Sequence, residues 1–331
     1  MWTPPCAPTA PRTFEKITGS YGGLGTCFAN IHASRSGDLI FVGGIQANAT
    51  VIDAILPPWQ GVVAPASGHV SVHEADAIER NGHKVIELPK HLGKITAAQV
   101  EEVAESWEAD ANREHMVMPG LVYVSQPSEY GTLYSRSELE ALSETAHAHG
   151  MRLFIDGARL AYALAAPNND ATLEGLARLC DAFCIGGTKC GALFGEAVVV
   201  PDPNIIPRFF TQIKQHGALL AKGRILGIQF EVLFEDGLYE RIGKPAVEQA
   251  NRIREALASR GAELRFGSTT NQTFMAVKDS LLGALSAYVE YGFWEKPDDD
   301  RTVIRFATSW ASASDNVDAP IGLIEGTDFE T

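Results

Sequence analysis

Lys189 lies where an apolar run ends in a glycine-rich turn, within the stretch Asp181-Ala-Phe-Cys-Ile-Gly-Gly-Thr-Lys-Cys-Gly-Ala-Leu-Phe-Gly195. A strand that delivers one amine into such a turn is suited to Schiff-base chemistry, because a buried lysine loses its proton readily and the neutral amine attacks a carbonyl. The simpler alternative is a lysine at a strand end that reaches water. The choice between the two depends on a second segment upstream.

That segment is Arg152-Leu-Phe-Ile-Asp-Gly-Ala-Arg-Leu-Ala161, a short apolar run that ends at Asp156. The ligand crevice of an open α/β sheet lies outside the carboxyl ends of its strands, so we expect Asp156 and Lys189 to converge on one site. Pyridoxal phosphate requires such a pair, a lysine that binds its carbonyl carbon and a carboxylate that keeps its pyridine nitrogen protonated. The alternative use of Asp156 is to cap the helix that follows.

The elements that position these residues follow a βα pattern. Apolar strand-like runs alternate with amphipathic stretches from about residue 38 to about residue 235, which predicts an α/β domain on a mainly parallel sheet. The seven candidate strands are Leu39–Val42, Gly61–Ala64, Lys84–Leu88, Leu121–Ser125, Leu153–Ile155, Ala182–Ile185 and Ala197–Val200. Residues 138–149 are expected to form a surface helix.

The chain changes character after residue 235, where a helical run at 244–261 precedes strand-like pieces at 272–277 and 302–308. With 331 residues, we predict an N-terminal segment at 1–37 that is partly disordered, a large domain at 38–235 and a small C-terminal α+β domain at 236–331. Pro320, Gly322 and Gly326 are expected to interrupt the last helix.

The first candidate strand is followed by Gly43 and Gly44. Two glycines let the backbone approach an anion, and the N–H groups at the start of the next helix can hold a phosphate. A tight connection between strand and helix is the alternative.

Composition restricts the partners. The formal net charge of −14 argues against nucleic acid or an anionic membrane as the main partner. Five cysteines at spacings that match no paired CxxC pattern predict reduced thiols and a cytoplasmic location. The first residues lack the basic and apolar regions of a secretory signal, and no uncharged apolar run is long enough to span a bilayer.

Four ordered motifs resemble those of the low-specificity threonine aldolases among the β-eliminating lyases, over about residues 40–310. They are Ser67-Gly-His-Val-Ser-Val-His-Glu74, Ser125-Gln-Pro-Ser-Glu-Tyr-Gly-Thr-Leu-Tyr134, Phe154-Ile-Asp-Gly-Ala-Arg-Leu-Ala161 and Ile185-Gly-Gly-Thr-Lys189. The resemblance implies the aspartate-aminotransferase fold, known as fold type I of pyridoxal-phosphate enzymes. It also implies a homodimer or homotetramer with the active site at the subunit boundary.

The resemblance makes Lys189 the lysine of the cofactor Schiff base and Asp156 the partner of the pyridine nitrogen. His69 matches a histidine that stacks on the cofactor ring, although the residue alone is equally typical of a core histidine. Arg159 and Arg305 match the arginines that hold the substrate carboxylate, for which a guanidinium is well suited. For Arg305 the alternative is an exposed arginine on a half-buried strand.

At the phosphate, the resemblance assigns Gly44 and Ile45 to the binding turn, Thr188 to an additional hydroxyl, and Lys222 to a basic residue nearby. Ile45 replaces a threonine that the family normally has, which removes one hydroxyl donor and weakens cofactor binding. Towards the N-terminus, only Ser20-Tyr-Gly-Gly-Leu24 resembles the family's pattern, and a serine segment of the relatives has no counterpart.

The resemblance therefore implies retro-aldol cleavage of threonine or allo-threonine, through a Lys189 aldimine, into glycine and acetaldehyde. The base that takes the β-hydroxyl proton is His69, His73 or a water that they hold, and no metal is expected. Two alternatives stay open: another pyridoxal-phosphate reaction, such as that of an amino-acid lyase or an aminotransferase, and a catalytically impaired member with divergent termini.

Overall fold

The computed structural model describes residues 40–287 and 289–326. Seven short apolar runs form one sheet at the centre of the protein. Its strands are β1 (Ile40–Phe41), β2 (Gln60–Pro65), β3 (Val85–Leu88), β4 (Met118–Ser125), β5 (Arg152–Asp156), β6 (Ala182–Gly186) and β7 (Glu196–Val199). They lie in the order β1-β7-β6-β5-β4-β2-β3. Each of the seven predicted strands overlaps one of these.

Strand direction places the site. β3, β2, β4, β5 and β6 are parallel to one another, whereas β7 is antiparallel to both β6 and β1. β1 therefore runs in the same direction as β6, and the carboxyl ends of β1, β2, β4, β5 and β6 share one edge with the first residue of β7. The predicted mainly parallel seven-stranded sheet is confirmed.

Helices cover both faces of this sheet, so its strands are buried on both sides, as is typical of parallel sheets. They are α1 (Gly44–Ile55), α2 (His69–Val72), α3 (Ala77–Arg80), α4 (Ala97–Ala109), α5 (Arg136–Ala148), α6 (Leu160–Leu164), α7 (Leu173–Leu179), α8 (Phe209–Gln215), α9 (Arg224–Phe234) and α10 (Leu238–Ile242). Leu139, Leu142 and Ala146 of α5 lie in one core, and Val51 and Ile52 of α1 lie in the core on the opposite face.

A second, four-stranded sheet follows, and all of its strand pairs are antiparallel. Its strands and helices are α11 (Lys244–Ser259), β8 (Glu263–Leu264), β9 (Gln272–Lys278), α12 (Asp279–Ser286), β10 (Gly292–Glu295), β11 (Arg301–Ala307) and α13 (Ser314–Glu325). A separate apolar core joins them, with Leu257, Met275 and Ile304 fully buried at its centre.

The expected interruption of the last helix is wrong. α13 continues through Pro320, and Val317 and Ile324 on the same helix are buried in the core of the second sheet. A proline removes one backbone hydrogen bond, but packing of an apolar face supplies most of a helix's stability in a protein. Tertiary packing therefore outweighs the local cost.

The predicted N-terminal segment, including Ser20–Leu24, lies outside the described residues. Within the described part of the chain, no helix is long and apolar enough to cross a membrane.

Gly157, directly after β5, lies so close to the backbone of β6 that a substitution there tests the packing of the two strands. A Cβ at this position would lie 1.9 Å from the backbone carbonyl oxygen of Cys184. We expect Gly157→Ala to lower the free energy of unfolding by about 1–3 kcal/mol or more, because backbone must move. Gly283→Ala in α12 is the control, since its Cβ would meet nothing within 4 Å. This substitution is expected to raise the free energy of unfolding by about 0.4–1 kcal/mol. Urea unfolding measures both, and equal effects would contradict the prediction.

Candidate active site

The two residues that the sequence pairs come from adjacent strands. Asp156 ends β5 and Lys189 follows the end of β6, and these strands pair in parallel through Phe154 and Ala182. The hydroxyl of Tyr162 donates a hydrogen bond to the carbonyl oxygen of Lys189, which ties the lysine turn to α6. The structure thus brings the predicted amine and carboxylate to the same edge of the sheet.

Asp156 is a buried carboxylate, 5% exposed, with three hydrogen-bond donors. Oδ2 accepts from the Tyr123 hydroxyl at 2.6 Å and from Nδ2 of Asn48 at 3.0 Å, and Oδ1 accepts from the Ala158 N–H at 2.8 Å. Burial alone would raise its pKa, but these hydrogen bonds and the charge of Lys189 lower the pKa below its usual value. The group is therefore held ionised.

The pKa of Lys189 is also lowered, which for an amine favours the neutral form. Burial and the positive charge of Arg159 lower its pKa, although the carboxylates of Asp156, Glu129 and Glu196 oppose that shift. A larger fraction of this amine is neutral than for an exposed lysine, and the neutral form is the nucleophile.

His69 begins α2, after the carboxyl end of β2, and its Nδ1 lies 2.7 Å from Oε1 of Glu74. The same oxygen accepts from Nδ2 of Asn48 at 2.8 Å, so a chain of hydrogen bonds joins His69 to Asp156. Burial lowers the pKa of His69, but the hydrogen bond to Glu74 and the charges of Glu129 and Asp156 raise it overall.

Among the described residues, one group could bind a metal ion, because one ligand atom each of His69, Glu74 and Asp156 lies within 4.8 Å of the others. Hydrogen bonds already use Glu74 Oε1 and both Asp156 oxygens. We infer that these three side chains serve in the hydrogen-bonded chain that runs through Asn48. The expectation that the protein binds no metal stays a prediction.

The two predicted carboxylate-binding arginines are close enough for their charges to interact. The positive charge of Arg159 lowers the pKa of Arg305, after burial itself, and Glu129 opposes this. Nη1 of Arg305 donates to Oε1 of Gln272 at 3.2 Å, and its guanidinium lies 5.3 Å from the ring centroid of Trp294. Arg305 is therefore half-buried and fixed, unlike the exposed arginine that was the alternative.

The residues predicted to bind the phosphate lie in three separate turns. Gly44 starts α1, whose first turn has no acidic residue, and Ile45 beside it is 45% exposed. The hydroxyl of Thr188 is engaged locally, since it accepts from the Gly195 N–H at 3.0 Å. Lys222 lies exposed in the turn before α9, and among the described residues no hydrogen bond or ion pair joins it to the other predicted residues.

His73 lies outside the hydrogen-bonded group around Asp156. It ends α2 on the exposed side, and its ring centroid lies 5.6 Å from that of His69. Of the two histidines proposed as a base, only His69 belongs to the hydrogen-bonded chain that reaches Asp156.

Four polar residues in or beside the site were not predicted: Asn48, Tyr123, Glu129 and Glu196. An asparagine inside a predicted helix is a weak signal, because asparagine competes with helical hydrogen bonding. Glu129 lies in a motif that was quoted for its resemblance alone. Glu196, 3% exposed, has a pKa raised well above its usual value by burial and by the charge of Asp156, although the charges of Lys189 and Arg159 oppose the shift.

Tyr123→Phe tests the carboxylate network. Because the folded-state pKa of Asp156 is lowered, its stabilisation is present above the unfolded pKa and is lost as pH falls through the folded pKa. The variant is expected to lose about 1–3 kcal/mol at neutral pH and to begin its acid destabilisation at higher pH. Urea unfolding from about pH 7 to about pH 3 measures both effects.

Tyr291→Phe is the matched control, since the Tyr291 hydroxyl donates to a neutral carbonyl, that of Leu282. Identical acid profiles for the two variants would contradict the assignment.

Comparison with known proteins agrees with this geometry. The profile of the beta-eliminating lyase family matches residues 35–280. A low-specificity L-threonine aldolase from a Pseudomonas species is 31% identical over 246 residues, which cover 73% of this chain and 70% of that protein. A solved Leishmania major threonine aldolase superposes with a TM-score of 0.85 at 36% identity, covering 96% of this chain and 88% of that chain.

Aspartate aminotransferase from Thermus thermophilus shares the fold, with a TM-score of 0.64 at 15% identity over 95% of this chain and 87% of that chain. The fold is therefore that of the aspartate aminotransferases, as predicted. The family match and the extent of the likeness establish that the chain belongs to the beta-eliminating lyase family.

Proposed function

We propose that this chain is a pyridoxal-phosphate-dependent aldolase that cleaves threonine or allo-threonine into glycine and acetaldehyde. The observation that carries the proposal is the pairing of the ionised Asp156 with the Lys189 amine on adjacent parallel strands. The threonine aldolases to which the chain is similar support the substrate.

The side chains at the site fit the cofactor. A carboxylate has about four acceptor positions, and three at Asp156 are used by Tyr123, Asn48 and Ala158. One position is left for the N–H of a pyridinium. A Cβ at Gly43 would meet nothing within 4 Å, so there is open space for a phosphate at the start of α1.

The cofactor, when bound, supplies a protonated ring that takes up the electron pair of the cleaved carbon–carbon bond. The residues supply the rest. Lys189 would hold the cofactor through its carbonyl carbon, and Asp156 would balance the ring's positive charge. Arg159 and Arg305 bind the substrate carboxylate and so fix the orientation of its Cα–Cβ bond. His69 would lie against the cofactor ring.

We extend the proposal to domains and location. The division into a large domain at 38–235 and a small one at 236–331 is supported by the two sheets, each with its own apolar core. A cytoplasmic location is supported by the thiols of Cys180, Cys184 and Cys190, which are buried and form no disulfide.

A homodimer or homotetramer is proposed from one helix face. About half of the surface is exposed on three apolar side chains of α9, Ile225 (50%), Ile228 (53%) and Val232 (49%). Leu193, four residues after Lys189, is 84% exposed. Apolar side chains at this helical spacing form a stripe, and such stripes are typical of protein interfaces. Lys222, just before α9, would then reach the cofactor of the neighbouring subunit.

Ile228→Glu tests the interface. A charge in the middle of an apolar contact costs free energy that no partner offsets, so we expect the oligomer to dissociate in size-exclusion chromatography with light scattering. Trp59→Glu is the control, because Trp59 is 65% exposed and directly precedes β2, which lies beside the edge strand β3. An oligomer that survives Ile228→Glu excludes this face as the interface.

Lys189→Ala tests the function. The wild type is expected to hold pyridoxal phosphate through gel filtration, to absorb visible light, and to release glycine and acetaldehyde from threonine. The variant is expected to lose the absorption and at least about 1,000-fold of the activity, because the covalent anchor is gone. Lys84→Ala, at an exposed lysine, controls for the loss of a charge. Pyruvate or another oxo acid as the wild-type product would contradict the aldolase assignment.

A further inference from the structure

Glu129 is a buried acid to which no role has been assigned, 8% exposed and placed just after β4. Its turn is tightly held. Ser128 and Thr132 on either side exchange a backbone hydrogen bond of 2.9 Å and a hydroxyl contact of 2.6 Å, and Thr132 Oγ1 donates to the Leu92 carbonyl oxygen at 2.7 Å. The side chain is therefore presented to the site by rigid backbone.

The neighbours of Glu129 are the proposed catalytic and binding residues. Oε2 lies 3.9 Å from Nη1 of Arg159. The carboxylate also acts on the pKa values of His69, Lys189 and Arg305, each time favouring the charged form. Within the described residues, no hydrogen bond is donated to this carboxylate, so its lone pairs are free to accept a proton.

Neither histidine is as well placed to act as a base. His69 lies 2.7 Å from Glu74 through Nδ1, and its raised pKa increases the fraction that is already protonated. A protonated imidazole cannot accept a proton. His73 is exposed at the end of α2.

We propose that Glu129 accepts the proton of the substrate's β-hydroxyl group, an inference that rests on the proposed aldolase function. Arg159 is the proposed anchor for the substrate carboxylate. In threonine, three bonds separate the β-oxygen from the carboxyl carbon, a distance of about 3 Å. A carboxylate 3.9 Å from that anchor is therefore close to where the β-hydroxyl must lie.

The step is balanced. The hydroxyl proton passes to Glu129, the O–H electron pair forms the aldehyde C=O bond, and the bound cofactor would take up the Cα–Cβ pair. Cα later takes up one proton, so threonine yields glycine and acetaldehyde without an added reagent.

Glu129→Gln tests the proposal in the holoenzyme, since glutamine has the same shape but accepts no proton. We expect kcat for threonine cleavage to fall at least about 100-fold. Glycine has a carboxylate but no β-hydroxyl, so its dissociation constant, from the change in cofactor absorption, is expected to stay within about threefold. Glu144→Gln, at an exposed glutamate of α5, is the matched control.

The outcomes are separable. If Glu129 only positions Arg159, glycine binding weakens along with threonine cleavage, which overturns the proposal. Unchanged kcat also overturns it. A wild type that releases no acetaldehyde refutes the proposed function itself, and the inference with it. If circular dichroism shows that Glu129→Gln does not fold, Glu129→Asp replaces it as the test. This variant withdraws the carboxylate by about 1.5 Å and is expected to lower kcat while glycine binding is retained.

Discussion

The burial of the Asp156 carboxylate is the interaction on which the site depends. An ionised carboxylate removed from water costs several kcal/mol of free energy unless hydrogen bonds replace its hydration. Here the donors come from α1, from β4 and from the turn after β5, as Asn48, Tyr123 and the Ala158 N–H. The three elements must therefore meet at one point. That requirement fixes the start of α1, and with it the glycine turn that we propose binds the phosphate, relative to the carboxylate.

Charge is distributed so that each ionised group has an opposite neighbour. Glu74 holds both His69 and Asn48, and Glu129 faces Arg159. Oε2 of Glu196 is buried without a hydrogen-bond partner among the described residues, and burial raises the pKa of this carboxyl well above its usual value, although the charges of Lys189 and Arg159 oppose the shift. In the proposed function, Asp156 would organise the cofactor side of the site, and Arg159, Arg305 and Glu129 would organise the substrate side.

The sheet was predictable because parallel strands are short, apolar and buried on both faces, so each appears as a continuous run. The errors occur where packing outweighs local preference. β4 begins at Met118 rather than Leu121, through Pro119 and Gly120, which both disfavour strands. α13 likewise continues through Pro320, because its apolar face is buried.

The sequence by itself determined the pairing of Asp156 with Lys189, because each residue ends or follows an apolar run and parallel strands bring such ends together. It also determined the family, through four motifs in order. Only the tertiary structure decided what surrounds the pair. Asn48 and Asp156 are 108 positions apart, and Tyr123 and Asp156 are 33 apart. The position of Glu129 beside Arg159 likewise requires two strands to be adjacent. No local pattern encodes such contacts, since they depend on the order of strands across the sheet.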